Sequence, residues 1–289
     1  MRVLSRRRLY FYYGDSMELH ALHRKAASIR RALLTMIYDA KTGHTGGALS
    51  SADILTALYY DIMRTDPKNP EWDGRDYFVL SKGHSVEGLL CILADKGFFD
   101  KSELETFCRL GTRLIGHPNN KVPGIEMCTG ALGHGLSISV GMGKGLKMSG
   151  RSNRVYTLLG DGELAEGSVW EAAMAASYYA LDNLTAIIDR NHLQISGDTE
   201  NVMAQEPLAE RWSAFGWHVV ELDGNDMAAL VNEFHKEPPA NRPRMIIAHT
   251  VKGKGVKEME NVAKWHHGVP DADLFASAMR QFDEQGRNA

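Results

Sequence analysis

Apolar residues along the chain follow helical spacing in some segments and strand-like runs in others. Over residues 18–41, apolar side chains such as Leu22, Leu33 and Ile37 recur every three to four positions. Gly43 follows, so the pattern predicts a helix that ends near this glycine. The same spacing predicts helices over 51–63, 87–96, 136–148, 164–180, 227–234 and 272–282. Short apolar runs predict strands over 77–80, 154–159, 184–189, 217–222 and 245–248.

The clearest part of this pattern is a strand–helix–strand unit over residues 154–189. A unit of this length returns the second strand parallel to the first. Strands that alternate with helices favour a parallel sheet covered by helices on both faces. We therefore expect an α/β fold, with residues 17–289 as a single domain. Residues 1–16 precede the first periodic segment and are expected to form a disordered leader.

Composition excludes several classes of protein. Of the 289 residues, 44% are hydrophobic and 24% are charged, as in ordinary soluble proteins. The net charge of −3 gives no general attraction to nucleic acid or to an anionic membrane. The apolar runs are too short to span a membrane. The three cysteines have no metal or redox spacing, so we expect reduced thiols without a role and a cytoplasmic protein. The 28 glycines and 12 histidines instead indicate a ligand approached by backbone and imidazole groups.

Polar side chains follow two neighbouring strands of the predicted sheet. Asp161 lies between two glycines after the first strand of the unit, and Asn191 follows the second strand, 30 positions later. Their oxygens suit Mg²⁺ or Ca²⁺, and parallel strands bring their carboxyl ends to one edge. Gly162 lets backbone N–H groups approach a diphosphate at the following helix. Glu163 has a structural alternative, an acid favoured there by the helix dipole.

The Gly-Asp-Gly sequence followed by Asn191 resembles the motif that binds thiamine diphosphate. Over about residues 17–270, the chain resembles the N-terminal half of the transketolase family. Five stretches carry the resemblance: KTGHTGG at 41–47, SKGH at 81–84, GHP at 116–118, TGALGHG at 129–135 and GDGELAEG at 160–167.

This resemblance implies a metal and cofactor site. Asp161, Asn191 and the backbone carbonyl of Leu193 match the family's ligands for Mg²⁺, a site that Ca²⁺ could also fill. The cofactor is thiamine diphosphate. The positions that match its contacts are His84, Gly130, Leu132, Gly162, Asn191 and His266.

Other matches concern the substrate and the assembly. His44 and His117 match histidines that hydrogen-bond the sugar substrate. Glu166 matches an acid that lies between the two cofactor sites of the assembly.

The segment KWHHGVP at 264–270 resembles one whose histidine reaches both diphosphate and substrate. Both His266 and His267 are candidates, and His266 is slightly favoured. His134 stands where the motif often has glutamine, which leaves its role open.

The implied activity is transfer of a two-carbon ketol unit from a ketose phosphate to an aldose phosphate. In the family, the glutamate that activates the cofactor and the residues that grip the sugar phosphate lie in a second half. Complete transketolases are more than twice this length, and the sequence ends about 20 residues after His267. We therefore expect an α2β2 assembly with a separate C-terminal, pyrimidine-binding subunit, and we expect the isolated chain to be inactive.

Three alternatives stay open. The chain could be the thiamine-binding subunit of a 2-oxoacid dehydrogenase, although the His44, His84 and His117 loops do not suit that class. It could resemble a deoxyxylulose-phosphate synthase, which is normally one long chain. A non-catalytic remnant is the third, and the intact pair of Asp161 and Asn191 argues against it. The sequence does not identify the donor and acceptor sugars.

Overall fold

A parallel sheet of five strands forms the centre of the fold. The computed structural model describes residues 17–288, so the predicted leader over 1–16 lies outside the described residues. The strands are β1 (Tyr77–Leu80), β2 (Val155–Gly160), β3 (Leu184–Arg190), β4 (Leu193–Gln194), β5 (Gly197–Asp198), β6 (His218–Asp223) and β7 (Arg244–His249). The central sheet has the order β1-β2-β3-β7-β6, and all its neighbours are parallel. Strands β4 and β5 form a separate antiparallel hairpin.

Helices connect the strands and cover both faces of the sheet. They are α1 (Leu19–Ala40), α2 (Thr45–Ser50), α3 (Ala52–Ala57), α4 (Val86–Lys96), α5 (His134–Met148), α6 (Gly167–Tyr178), α7 (Thr199–Val202), α8 (Leu208–Ala214), α9 (Met227–Phe234) and α10 (Ala272–Asn288). Within residues 17–288, no helix is both long enough and apolar enough to cross a membrane.

Alternate residues of the strands feed two apolar cores. In β2, Tyr156 and Leu158 pack in the core that also contains side chains of α1, α3, α4, α9 and α10. Val155 and Leu159 pack in the opposite core with α5, α6 and α8. Every residue of β3 is buried, as expected for the middle strand of a sheet covered on both sides. This arrangement confirms the predicted α/β fold.

The pairing of α1 with α10 brings two distant segments together. The α1 side chain of Tyr38 stacks on Phe275 with ring centroids 4.1 Å apart, and Arg31 pairs with Asp283 at 2.7 Å. The residues just after α1 and just before α10 consequently lie side by side at the carboxyl edge of the sheet. There the N–H of Gly268 donates to the carbonyl of Gly43 at 3.2 Å.

Three predicted helices have clearly different limits in the structure, and one of them, predicted over 272–282, extends as α10 to Asn288. The helix predicted over 51–63 is divided into α3, which ends at Ala57, and a π-helical turn over Leu58–Ile62. The helix α2 lies before the predicted range and meets α3 at Ser51, whose hydroxyl donates to the Gly47 carbonyl. The helix predicted over 164–180 begins later, because Gly162–Ala165 forms a 3₁₀ turn. Periodicity alone does not locate such breaks, since the apolar spacing continues across them.

Candidate active site

The predicted metal ligands lie at the carboxyl edge of the sheet. Gly160 pairs with Asp189 in the register of β2 and β3, so Asp161 and Asn191 leave the sheet at the same edge. Asp161 is buried and accepts the N–H of Gly162 at 2.8 Å and that of His192 at 2.6 Å. These contacts fix the Asp161 carboxylate before any ligand binds.

The donor atoms at this edge are suited to a hard divalent cation. The Leu193 carbonyl accepts a hydrogen bond from the Lys252 ammonium at 2.8 Å, so this oxygen already has a cationic partner. Gln194 contributes a buried side-chain oxygen that has no hydrogen-bond partner within residues 17–288. That part of the chain has no group of three or more His, Cys, Asp or Glu side chains placed to hold a metal. A cation here would therefore rely on amide and backbone oxygens as well as one carboxylate, and such oxygens suit Mg²⁺ or Ca²⁺.

Charged groups of both signs surround Asp161. Burial and the negative charge of Asp189 raise the pKa of Asp161 to about 6, against the opposing charge of Arg190. The Arg190 guanidinium is fully buried, and its nearest atoms lie 3.4 Å from Asp161 and 2.8 Å from Glu206. A bound cation would stabilise the ionised carboxylate further.

A buried ion pair joins β1 to β3 beside this site. Lys82 pairs with Asp189 and donates to the Gly47 carbonyl at 2.8 Å. Burial alone would raise the pKa of Asp189, but the charge of Lys82 and hydrogen bonds from Ser50 and Thr250 lower it. The pair holds a lysine, with its charge compensated, directly behind the loop that carries His84.

Five histidines that the sequence singled out form one cluster. The ring of His44 lies at its centre, with ring centroids 4.7 Å from His267, 5.1 Å from His84, 5.8 Å from His266 and 6.2 Å from His117. These residues come from four separate segments, so only the fold brings them together.

Burial keeps most of this cluster uncharged. Burial, followed by neighbouring positive groups, lowers the pKa of His44 to about 4, that of His84 to about 2 and that of His266 to about 3. Burial also lowers the pKa of His117. At neutral pH these imidazoles each have one nitrogen that can accept a proton.

The two adjacent histidines face different surroundings. His266 stacks on His84, with ring centroids 5.1 Å apart, and its Nδ1 lies 3.1 Å from the Lys252 ammonium. His267 is exposed, and its Nε2 lies 3.5 Å from the Thr42 hydroxyl. His266 therefore faces the metal-ligand edge, whereas His267 faces the outer side of the cluster.

The glycine-rich loops allow close packing around the cluster. Gly130 has a φ of +149°, and a Cβ there would lie 2.8 Å from the His117 ring. A Cβ on Gly162 would lie 2.9 Å from the Gln194 side chain. Leu132 is half-buried, and its carbonyl lies 3.1 Å from Nδ1 of the exposed His134. Side chains at either glycine would thus displace groups that line the site.

Glu163 lies in the first turn of the helical segment Gly162–Ala165, where the helix dipole favours an acid, and it also connects three of these loops. The Glu163 carboxylate is buried and accepts a hydrogen bond from the Ser81 hydroxyl. It also accepts the N–H groups of Gly133 at 2.8 Å and Gly160 at 3.0 Å. Exposed dipole-favoured acids do not need such partners, so Glu163 is a buried link between loops.

Glu166 lies apart from the histidine cluster. It is exposed and occupies the N-cap position of α6, without a side-chain cap hydrogen bond.

The sequence interpretation missed several buried charged residues of the site. Lys82 lies inside the SKGH stretch, and Lys252 follows β7 at the same sheet edge as Asp161. Burial lowers the pKa of Lys252 to about 8, although Asp189 and Asp161 oppose this. The rule that ligands bind beyond parallel strand ends could have identified Lys252, because it follows β7 closely.

The chain matches one protein family over most of its described length. Residues 22–284 match the family model described as transketolase, thiamine diphosphate binding domain. The chain is 50% identical over 270 residues to an apulose-4-phosphate transketolase subunit of Phocaeicola vulgatus, covering 93% of this chain and 96% of that relative. It is 40% identical over 267 residues to a 6-deoxy-6-sulfo-D-fructose transketolase subunit of a Clostridium species, covering 92% and 97%.

A solved structure supports the same relationship. The crystal structure of transketolase from Campylobacter jejuni superposes with a TM-score of 0.85 at 32% identity. The match covers 91% of this chain and 43% of that chain, so this chain spans less than half of that transketolase.

Proposed function

We propose, from the premise that the chain belongs to the transketolase family through its thiamine diphosphate-binding domain, that it is one subunit of a two-chain transketolase. In this proposal it transfers a two-carbon ketol unit from a ketose phosphate to an aldose phosphate. The observation that carries the proposal is the cluster of histidines around His44, which lies beside an edge of oxygen ligands and lysines.

The residues present fit both the cofactor and its metal. Asp161, Asn191 and the Leu193 carbonyl would hold Mg²⁺, with Ca²⁺ as an alternative ion. His84 and the N–H of Gly162 would face the diphosphate. When bound, thiamine diphosphate supplies an electron sink for cleaving the bond beside a ketose carbonyl.

The lysine and glycine positions complete this assignment. Lys252 is a buried cation that an anionic diphosphate would stabilise. The backbones of Gly130 and Leu132 would line the aminopyrimidine. Asn191 would contact both metal and diphosphate.

The histidines would bind the sugar and move its protons. His44 and His117 would hydrogen-bond the hydroxyl and carbonyl oxygens of the substrate. As neutral imidazoles they can accept a proton from a hydroxyl of the sugar and later donate it back to a sugar oxygen. His266 stacks on His84, which would face the diphosphate, so His266 would bridge diphosphate and substrate. His267 would face the substrate.

A partner subunit is the second part of the proposal. Both relatives described above are named as subunits. Exposed apolar side chains lie on the segments that carry His117, Gly130 and Leu193, and such groups suit a protein partner. These side chains are Leu110, Ile115, Met127, Ile195 and Met203.

The partner would supply what the family keeps in its pyrimidine-binding half. These groups are the glutamate that activates the cofactor and the residues that bind the sugar phosphate. Glu166, which is exposed, would lie between the cofactor sites of an α2β2 assembly. The names of the two relatives differ in their sugar, so the proposal extends to ketose phosphates and related anionic ketoses as a class. Free cysteines are compatible with the cytoplasm as the location.

Reconstitution with a candidate C-terminal subunit tests this function. We expect the mixture to transfer a two-carbon unit from a ketopentose phosphate to an aldopentose phosphate when thiamine diphosphate and Mg²⁺ are present. We expect the chain alone to be inactive.

Three results would contradict this function. Robust transfer by the chain alone would contradict the two-chain proposal, and oxidation of pyruvate without ketol transfer would support a 2-oxoacid dehydrogenase. An absence of binding heat with thiamine diphosphate and Mg²⁺ would identify a non-catalytic remnant.

A further inference from the structure

Glu87 is a fully buried acid close to the histidine cluster. It lies in the first turn of α4 and has no exposed surface. One carboxylate oxygen, Oε1, accepts the backbone N–H of His44 at 2.7 Å. The other oxygen, Oε2, has no hydrogen-bond partner within residues 17–288. Burying a carboxyl group with so few partners is unfavourable, so its position needs an explanation beyond packing.

The contact fixes the main chain at His44. His44 is the N-cap residue of α2, and its side chain makes no cap hydrogen bond. Its own N–H lies before the helix and depends on Glu87 for an acceptor. The neighbouring Gly43 is tightly enclosed, since a Cβ there would lie 3.0 Å from Glu87 Oε1 and 2.6 Å from Ile37 Cγ1. The chain that carries the central histidine is thus held between α1 and α4.

We propose that Glu87 is a positioning residue, whose ionised carboxylate fixes the His44 backbone and thereby aims the His44 ring at the substrate. This inference rests on the proposed function for the role of His44, but the Glu87–His44 contact can be tested separately.

The surroundings of Glu87 favour a carboxylate that responds to pH. Burial raises the pKa of Glu87 to about 7, while the N–H of His44 and the charge of Lys82 oppose the rise. Burial and the negative charge of Glu87 in turn raise the pKa of the thiols of Cys91 and Cys108. An ionised acceptor binds an N–H more strongly than a neutral one. On protonation, the new O–H would find no acceptor at Oε2 among the described residues, so the contact would weaken.

Kinetics of the reconstituted two-subunit enzyme test the proposal. Glu87→Gln keeps an acceptor oxygen without the charge, and Glu87→Met removes the acceptor. We expect kcat/KM for the ketose phosphate to fall about 10-fold in the first variant and about 100-fold in the second at pH 8, because small displacements of reacting groups have effects of this size. The Kd of thiamine diphosphate should not change. Glu105→Gln, which removes the charge of an exposed glutamate, should match the wild type.

The pH profile separates positioning from a purely structural role. Wild-type kcat/KM should decline as the pH falls through about 7, where Glu87 takes up its proton. This decline should be absent in Glu87→Gln, whose side chain does not titrate. A decline of kcat/KM in Glu87→Gln like that of the wild type would overturn the proposal. So would a wild-type kcat/KM in folded Glu87→Met.

An NMR measurement keeps the test independent of catalysis. The backbone amide resonance of His44 should move with a midpoint near pH 7 in the wild type and stay constant in Glu87→Gln. If the wild-type enzyme shows no ketol transfer, the proposed function fails, while this resonance still decides the contact. If transfer is normal but the resonance does not titrate, the positioning role of the ionised carboxylate fails.

Discussion

His44, His84 and His266 are uncharged in the folded chain because the protein surrounds them and lysines lie nearby. Since the pKa of His44 is about 4, below the value of about 6.5 in an unfolded chain, the unfolded chain binds protons first as the pH falls. His44 therefore lowers the free energy of unfolding progressively as the pH falls from about 6.5 to about 4. Asp161 and Glu87 act in the opposite sense, because burial raises their pKa values.

A single substitution isolates the histidine contribution. We expect the urea midpoint of His44→Asn to fall less between pH 7 and pH 5 than that of the wild type, since asparagine does not titrate. His20→Asn, at an exposed position of α1, should keep the wild-type difference. Equal pH dependence in His44→Asn and the wild type would show that His44 is not held neutral by folding.

The Asp161 carboxylate gives a second prediction at the scale of one residue. Asp161→Asn keeps the shape of the side chain and removes its charge. We expect the joint binding of Mg²⁺ and thiamine diphosphate to weaken at least about tenfold, as for other disturbed metal sites. Titration calorimetry on the reconstituted complex measures this, with Asp73→Asn as the exposed control. Unchanged affinity in Asp161→Asn would remove this residue from the metal site.

The sequence could identify the histidines and metal-ligand candidates, but not the residues that hold them. Asp161 and His84 lie in short local motifs, which a single sequence displays. Glu87 and Glu163 act through contacts with segments far away in the chain, which their own neighbours in sequence do not reveal. Lys252 has one local sign, its place just after β7, but its contact with the Leu193 carbonyl is again a long-range one. Such contacts become visible only when the fold brings the segments together.

At the scale of elements, α5 contains a natural pair of test positions. Gly135 packs on the end of β1, where a Cβ would lie 2.6 Å from the Cα of Ser81. Gly145, in the same helix, has open space around it. We expect Gly135→Ala to destabilise the chain by about 1–3 kcal/mol, because the helix must move away from the strand.

Gly145→Ala is the matched control. Alanine favours a helix interior by about 0.5–1 kcal/mol over glycine, so this variant should be slightly more stable than the wild type. Urea unfolding of both variants measures the two effects. A loss of stability in Gly145→Ala, or none in Gly135→Ala, would contradict the packing of α5 described above.

Apolar patterns predicted most elements because burial repeats regularly along them. The limits of β1 and α9 match the predicted ranges 77–80 and 227–234, and the other sheet strands differ by only one residue at some of their ends. The short hairpin of β4 and β5 and the helices α2, α7 and α8 were not predicted. Elements of two to seven residues contain too few positions for a period to be recognised.

At the scale of the whole molecule, the exposed apolar side chains beside the site define a surface for the partner. Ile195→Asp places a charge on the β4–β5 hairpin, next to the Leu193 carbonyl. We expect this variant to bind the C-terminal subunit at least about tenfold more weakly while its own stability is unchanged, as for a buried interface residue. Sedimentation of the mixed subunits measures the change.

The control for this surface is Met148→Asp. Met148 is exposed at the far end of α5, a helix whose first residue lies at the site, so it projects toward the opposite edge of the sheet. Association should be unaffected by this substitution. Equal weakening by both substitutions would mean that the partner does not approach from the side of the histidine cluster.

The contact between the residues after α1 and those before α10 also has a consequence for synthesis. The Thr45 hydroxyl donates to the Gly268 carbonyl at 2.6 Å across 223 positions of sequence. On a ribosome, His44 leaves the exit tunnel long before the segment that contains His266 and His267. Until then, the loop after α1 lacks the neighbours that enclose it. Nascent chains that pause before this segment would therefore expose an unfinished binding site to chaperones and proteases.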